Sequence, residues 1–144
     1  MKSKPEFIKN LNEVEKELHY LDKPAEDYRS RRRLAKATGA ERIGVNYCYL
    51  RPGQVSSKFH YHTREEEFFL LLSGHARLRC GKETYQLGPG DAVSMKPGGP
   101  AHQIHNDFDE ECIYLAIGIR DPEDESVCPD DGIIRKGKIT KPIE

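Results

Sequence analysis

The sequence predicts an all-β fold, an antiparallel sandwich or barrel, on three observations. From Gly44 onward, eight short segments of strand character follow one another. Turn-forming residues separate most of them: Pro52–Gly53, Ser73–Gly74, Gly81, Gly88–Pro89–Gly90 and Pro97–Gly98–Gly99–Pro100. Within individual segments the apolar residues recur with period two, the period of a pleated strand. Closure of such strands into a barrel would also remove exposed sheet edges.

The 144 residues suffice for one domain. The expected division is an N-terminal arm over 1–43, a barrel over 44–134 and a C-terminal tail over 135–144. The formal net charge is -1, which gives no broad basic field for nucleic acid. No segment approaches the roughly 18 apolar residues of a membrane span. The start, MKSKPEFIKN, is charged and lacks the apolar stretch of a signal peptide. A soluble cytoplasmic protein with neither membrane nor nucleic-acid partner is expected. Cys48, Cys80, Cys112 and Cys128 are widely spaced with no CxxC pair, so free thiols are expected.

In the arm, Phe7, Leu11, Val14, Leu18 and Leu21 recur at helical spacing. They predict a helix from Pro5 to Leu21, with an extended arm as the competing reading. Arg29, Arg31, Arg32 and Arg33 form a basic cluster, read as a solvated or salt-bridged surface. A phosphate or nucleic-acid contact is the sharper alternative. Leu34–Thr38 fits a short helical turn closed by Gly39.

The expected strands are Gly44–Leu50, Lys58–His62, Glu67–Leu72, His75–Cys80, Thr84–Leu87, Ala92–Met95, His102–Asn106 and Cys112–Ile119. In the last, Ile113, Leu115, Ile117 and Ile119 share one face, expected to be core. Cys112, Tyr114 and Ala116 share the other. Phe68–Leu72 is apolar on both faces and calls for cover from a second sheet, the arm or a partner subunit. A homodimer is therefore expected. Arg120–Asp131 is acidic and reads as a loop. Beyond it, a short strand at Ile133–Ile134, a turn at Gly137 and a frayed end are expected.

One constellation carries chemistry. His60 and His62 alternate along a strand, so both point to one face with α-carbons about 7 Å apart. Glu67 follows a four-residue turn and would open the next strand of a hairpin. His102 joins them only if the fold brings distant strands together. Glu65 and Glu66 read as solvated, or as acceptors that fix a ligand imidazole. His19 and His75 have no comparable setting.

The run HYHTREEEFFLLLSG, His60 to Gly74, resembles the first cupin motif: His-x-His, three or four residues, Glu, six residues, Gly. PGGPAHQIHN, Pro97 to Asn106, resembles the second: Pro-x-Gly, two residues, His, three residues, Asn. Gly90–Asp91 resembles the turn that opens that motif. The stretches Gly53–His60 and Gly90–Pro97 are each one residue longer than the common form, an excess a bulge can absorb. The resemblance spans roughly Gly44 to Ile119. It implies a double-stranded β-helix, or jelly-roll, barrel with His60, His62, Glu67 and His102 as metal ligands. Asn106 and the glycines would be structural.

Three imidazoles and a carboxylate suit one divalent ion of Fe, Mn, Ni, Co or Zn, and suit the all-oxygen preferences of calcium and magnesium poorly. Alternation places Phe69 and Leu71 with Glu67, and Ile104 with His102, as an apolar wall. Such a wall favours a small, partly hydrophobic ligand. Tyr47, Tyr49 and His105 are acid–base candidates, although His105 has the wrong parity. The functional expectation is a metal-dependent enzyme acting on a small oxygenated organic molecule. The alternatives are a small-molecule binding module without turnover and a barrel with a structural zinc ion.

Overall fold

The computed structural model describes residues 1–18 and 27–144. Its strands are β1 (Lys16–Leu18), β2 (Ser30–Arg33), β3 (Ile43–Leu50), β4 (Tyr61–His62), β5 (Glu67–Ser73), β6 (Ala76–Cys80) and β7 (Glu83–Leu87). There follow β8 (Ala92–Met95), β9 (His102–His105), β10 (Cys112–Ile119), β11 (Ser126–Cys128), β12 (Ile133–Lys136) and β13 (Ile139–Pro142). The five-residue helix α1 (Leu34–Thr38) ends on Gly39 at φ 86°, as the glycine signal predicts. An all-β, strand-rich fold is thus observed. No described helix is long and apolar enough to cross a membrane.

The strands form a six-stranded sheet, β1-β2-β3-β10-β5-β8, a three-stranded sheet, β7-β6-β9, and a four-stranded sheet, β13-β12-β11-β4. The core draws on the first two. Leu50, Phe69, Leu71, Met95 and Tyr114 from one meet Ala76, Leu78, Leu87 and Ile104 from the other. The β5–β6 connection turns at Gly74, φ 75°, where an added Cβ would lie 2.4 Å from the carbonyl oxygen of Glu111. Only glycine fits that approach. Asn106 is fully buried, and its side-chain amide donates to Leu50 O and Glu110 O, both at 2.8 Å. It pins the end of β9 to the ends of β3 and β10. All four cysteines are free.

Three expectations are corrected. The arm forms no helix over its described part, but one 3₁₀ turn, Leu11–Glu13, closed by an Asn10–Glu13 capping box and followed by β1. Residues 19–21 of the expected helix lie outside the described residues. Helices in proteins depend on burying an apolar face. Here Phe7 and Leu18 stay 70% and 58% exposed, and only Val14 of the described stripe is buried. Pairing with β2 offers β1 a backbone ladder and a Glu17–Arg33 ion pair at 2.6 Å.

In β10 the buried face is Cys112, Tyr114 and Ala116, while Ile113, Leu115 and Ile117 are half-buried and Ile119 is exposed. Which face is interior depends on the side where the second sheet packs, and alternation alone does not reveal it. Tyr114 fits inside because Phe69 packs on its ring and Arg29 donates to its hydroxyl at 3.2 Å. The acidic segment expected as loop contains β11, which pairs with β4 and β12. The tail continues the ladder as β13.

Candidate metal centre

Backbone pairing assembles the four expected residues. His60 N donates to His102 O at 3.2 Å, and His102 N donates to His60 O at 2.8 Å. Residues opposed in an antiparallel pair present their side chains on the same face. His62 follows two residues later on β4, and its carbonyl accepts from Gly98 N at 2.8 Å, pinning the glycine turn that leads to His102. Glu67 opens β5.

The side chains converge on Glu67 Oε1, which lies 3.0 Å from His62 Nε2, 3.1 Å from His102 Nε2 and 3.6 Å from His60 Nε2. His60, His62 and Glu67 form a cluster able to hold a metal ion, their donor atoms all within 4.8 Å of one another. His102 joins them through its contact with Glu67. His60 Nδ1 donates to Lys58 O at 2.7 Å, and His62 Nδ1 donates to Asp124 Oδ2 at 2.6 Å. With those protons committed, both Nε2 atoms of the neutral rings present lone pairs, 3.2 Å apart. Facing lone pairs repel unless a proton or a cation lies between them. The donor set therefore fits a cation of the imidazole-preferring kind.

Residues 46–118 match the family model of the cupin domain. The chain is a cupin. Among solved structures it is similar to a sugar phosphate isomerase of the cupin superfamily from Silicibacter pomeroyi, 28% identical, with 92% of this chain and 88% of that one covered at a TM-score of 0.83. It is similar to a provisionally assigned sugar phosphate isomerase from Acidithiobacillus ferrooxidans, 27% identical, with 94% and 90% covered at a TM-score of 0.82. The polyketide cyclase RemF of Streptomyces resistomycificus shares the fold, at 19% identity and a TM-score of 0.67 over 99% of this chain and 90% of that one. No protein of curated function matches the sequence.

In this cupin the electrostatics follow from the crowding of charge. Burial opposes ionisation of Glu67, but the imidazoles of His102, His60 and His62 outweigh it and hold the carboxyl well below its usual range. Burial also opposes a charge on His62, yet Glu67 and Asp124 push its pKa up to about 9. Without a metal, a proton on His62 relieves the facing lone pairs; a metal must displace that proton.

Asp124 is the residue of the candidate site that the sequence alone does not reveal. Its Oδ2 accepts from His62 Nδ1, while Oδ1 accepts from Arg64 N at 2.9 Å and Glu65 N at 3.0 Å. It fixes the tautomer and the ring plane of His62. His62, Glu65 and Asp124 make a second cluster of metal-ligand type, overlapping the first at His62. Asp124 spends its oxygens on hydrogen bonds there, which suits orientation better than ligation. Glu65 is half-buried; burial raises its pKa, and its Oε2 accepts from Asp121 N at 3.1 Å.

The site opens into a cavity of about 500 Å³ whose wall includes Phe69, Glu65, Asp124, Ser126 and Arg135. Of the expected apolar wall only Phe69 lines the cavity, its ring centroid 5.6 Å from that of His102, while Leu71 and Ile104 are buried in the core and do not line it. None of Tyr47, Tyr49 or His105 lines the cavity. Tyr49 instead accepts from Arg32 Nε at 3.0 Å, and His105 contacts Gln103. His75 packs beside Phe108, and His19 lies outside the described residues.

Proposed function

We propose that this cupin is a metal-dependent enzyme acting on a small oxygenated organic molecule, with a sugar phosphate as the substrate class and isomerisation as the reaction. The carrying observation is the convergence of three imidazoles on one carboxylate oxygen, with the Nε2 atoms of His60 and His62 3.2 Å apart. His60, His62, Glu67 and His102 would hold one divalent ion of Fe, Mn, Ni, Co or Zn. A bound ion supplies Lewis acidity toward a carbonyl or hydroxyl oxygen. The names and full-length similarity of the two relatives near 28% identity support the substrate class. The open cavity of about 500 Å³ beside the donors supports a ligand-accessible site over a sealed structural ion.

The chain's own residues have definable roles. Asp124 holds His62 Nδ1–H, so that Nε2 faces the centre. Phe69, buried on the cavity wall beside His102, excludes water from that side of the centre. Glu65, whose pKa burial pushes above the usual carboxyl value, is the carboxyl placed to carry a proton between substrate carbons at Oε1.

The proposal extends to a closed jelly-roll barrel over 44–134, a cytoplasmic location and a homodimer that leaves nucleic acid unbound. The outer sheet face supports the dimer. Register aligns Val45 with Ile117 and Phe68, and Tyr47 with Leu115 and Leu70, into an apolar surface. Light scattering should give twice the chain mass; a monomer at every concentration would remove the dimer.

The test of function is elemental analysis of anaerobically purified protein, then NMR detection of aldose–ketose interconversion across a sugar phosphate panel. Metal-dependent interconversion is expected. A fully metal-loaded protein that binds these compounds without turning any over would leave a binding module in its place.

A further inference from the structure

The arginine cluster acquires a role from its placement. Strand alternation sends Arg31 and Arg33 to the inner face of β2, opposite Cys48 and Asn46, and Arg29 precedes them at the same spacing. Arg32 points outward to Tyr49 and Val14 O. Arg29, Arg31 and Arg33 line a second cavity, about 420 Å³, together with Lys36, Asn46 and Arg120. That cavity meets the metal-site cavity at Arg29, His62, Glu65 and Glu67, which line both.

The three arginines differ in compensation. Arg33 is paired with Glu17 at 2.6 Å. Arg29 donates to the neutral hydroxyl of Tyr114, and its Nε is buried with no hydrogen-bond partner. Arg31 makes no ion pair among the described residues, and its Nε is likewise buried without a partner. Burial, then the neighbouring charges of Arg29 and Arg33, push the Arg31 pKa down to about 10. Half-buried like charges with unused donors cost free energy, and a bound anion repays it with charge-assisted hydrogen bonds.

We propose that this second cavity is a phosphate subsite, in which Arg31 and Arg29 bind a phosphate monoester whose hydroxylated carbon chain reaches past Arg29 to the metal centre. The inference rests on the sugar phosphate reading for the identity of the chain, and on the arginine geometry alone for the anion. Arginine's planar fork matches two phosphate oxygens at once. Gly44 and Gly118 form part of the wall, so the ligand meets backbone there and not side chain.

The test is isothermal titration calorimetry with three probes: inorganic phosphate, glucose 6-phosphate and glucose. Wild-type protein, with or without metal, should bind inorganic phosphate. The phosphate ester should bind the metal-loaded form more tightly than glucose does, and inorganic phosphate should compete with it. Arg31→Gln should weaken both phosphate probes by about tenfold or more, the loss expected for a charged hydrogen-bond donor. It should leave metal content unchanged. Arg77→Gln, which breaks a surface pair with Asp107, should leave phosphate binding unchanged.

If Arg31→Gln unfolds, the wild-type competition between inorganic phosphate and the ester still decides. Absence of saturable phosphate binding by the wild type, or equal binding by wild type and Arg31→Gln, overturns the subsite. Arg31-dependent phosphate binding without isomerase turnover sustains the subsite and removes the enzymatic reading. Turnover of sugars indifferent to phosphorylation and to Arg31 overturns the subsite and leaves that reading intact.

Discussion

The candidate metal centre draws on two regions that contribute in different ways. The segment from His60 to His102 supplies every proposed donor, and backbone pairing between its own strands sets them face to face. The segment from Asp121 to Cys128 supplies no proposed donor. It supplies Asp124, which accepts hydrogen bonds from His62 Nδ1 and from two backbone N–H groups of the β4–β5 turn. It also supplies β11, the strand paired with β4. In the proposed centre one region would provide affinity and the other orientation, and the two should fail differently when altered.

The largest effect should come from the donors. Glu67→Gln keeps the size of the side chain but removes the negative charge facing three imidazoles. His62→Ala removes a ring and leaves Asp124 without its donor. Either change should lower metal affinity beyond the ~100-fold that is the upper range for a supporting residue. Competition with a chelator of known affinity measures it. Asp124→Asn should cost about 10- to 100-fold, because the ring remains but its tautomer and plane are no longer imposed. Equal losses for Glu67→Gln and Asp124→Asn would place Asp124 among the ligands, in the cluster it makes with His62 and Glu65.

Metal removal gives the next effect. An ion that binds only the folded chain stabilises it by about 4 kcal/mol at a thousandfold excess over Kd. Chelation should lower the melting temperature of the wild type accordingly and leave Glu67→Gln almost unmoved, as differential scanning calorimetry would show.

A smaller, graded effect should follow pH. The folded pKa of His62 is raised from its ordinary value of 6.5 to about 9. In the metal-free protein, the stability contributed by protonated His62 is fully present below 6.5 and lost as pH rises through about 9. Metal binding needs the deprotonated ring, so apparent affinity should climb across the same window. Asp124→Asn removes one of the groups that raise this pKa, so the window should move to lower pH. Titration of metal affinity from pH 6 to 9 checks both slopes, and a flat profile would mean that no proton is displaced from the site.

The same division separates what was legible from what was not. The donors were legible because their chemistry is local. His60 and His62 need only strand alternation, Glu67 a short turn, and His102 a glycine-rich turn at a recognisable spacing. Asp124 was not, because its role depends on where a long acidic segment lands, and that segment has no periodicity of its own. The arm shows the converse: a helical stripe was present, but no core awaited it, so strand pairing prevailed. In β10 the alternation was read correctly and its sign was not. Both faces are apolar enough to be buried, and only the packing of β6 and β9 selects Tyr114 over Leu115.

The central claim is that His102, far along the chain, completes the centre with His60, His62 and Glu67. Elemental analysis of the wild type, His102→Ala and His75→Ala, purified side by side, tests it most directly. The expected result is one divalent ion per chain in the wild type and in His75→Ala, and a marked loss in His102→Ala. Full metal retention by His102→Ala, or a loss of metal from His75→Ala as large, would contradict the account.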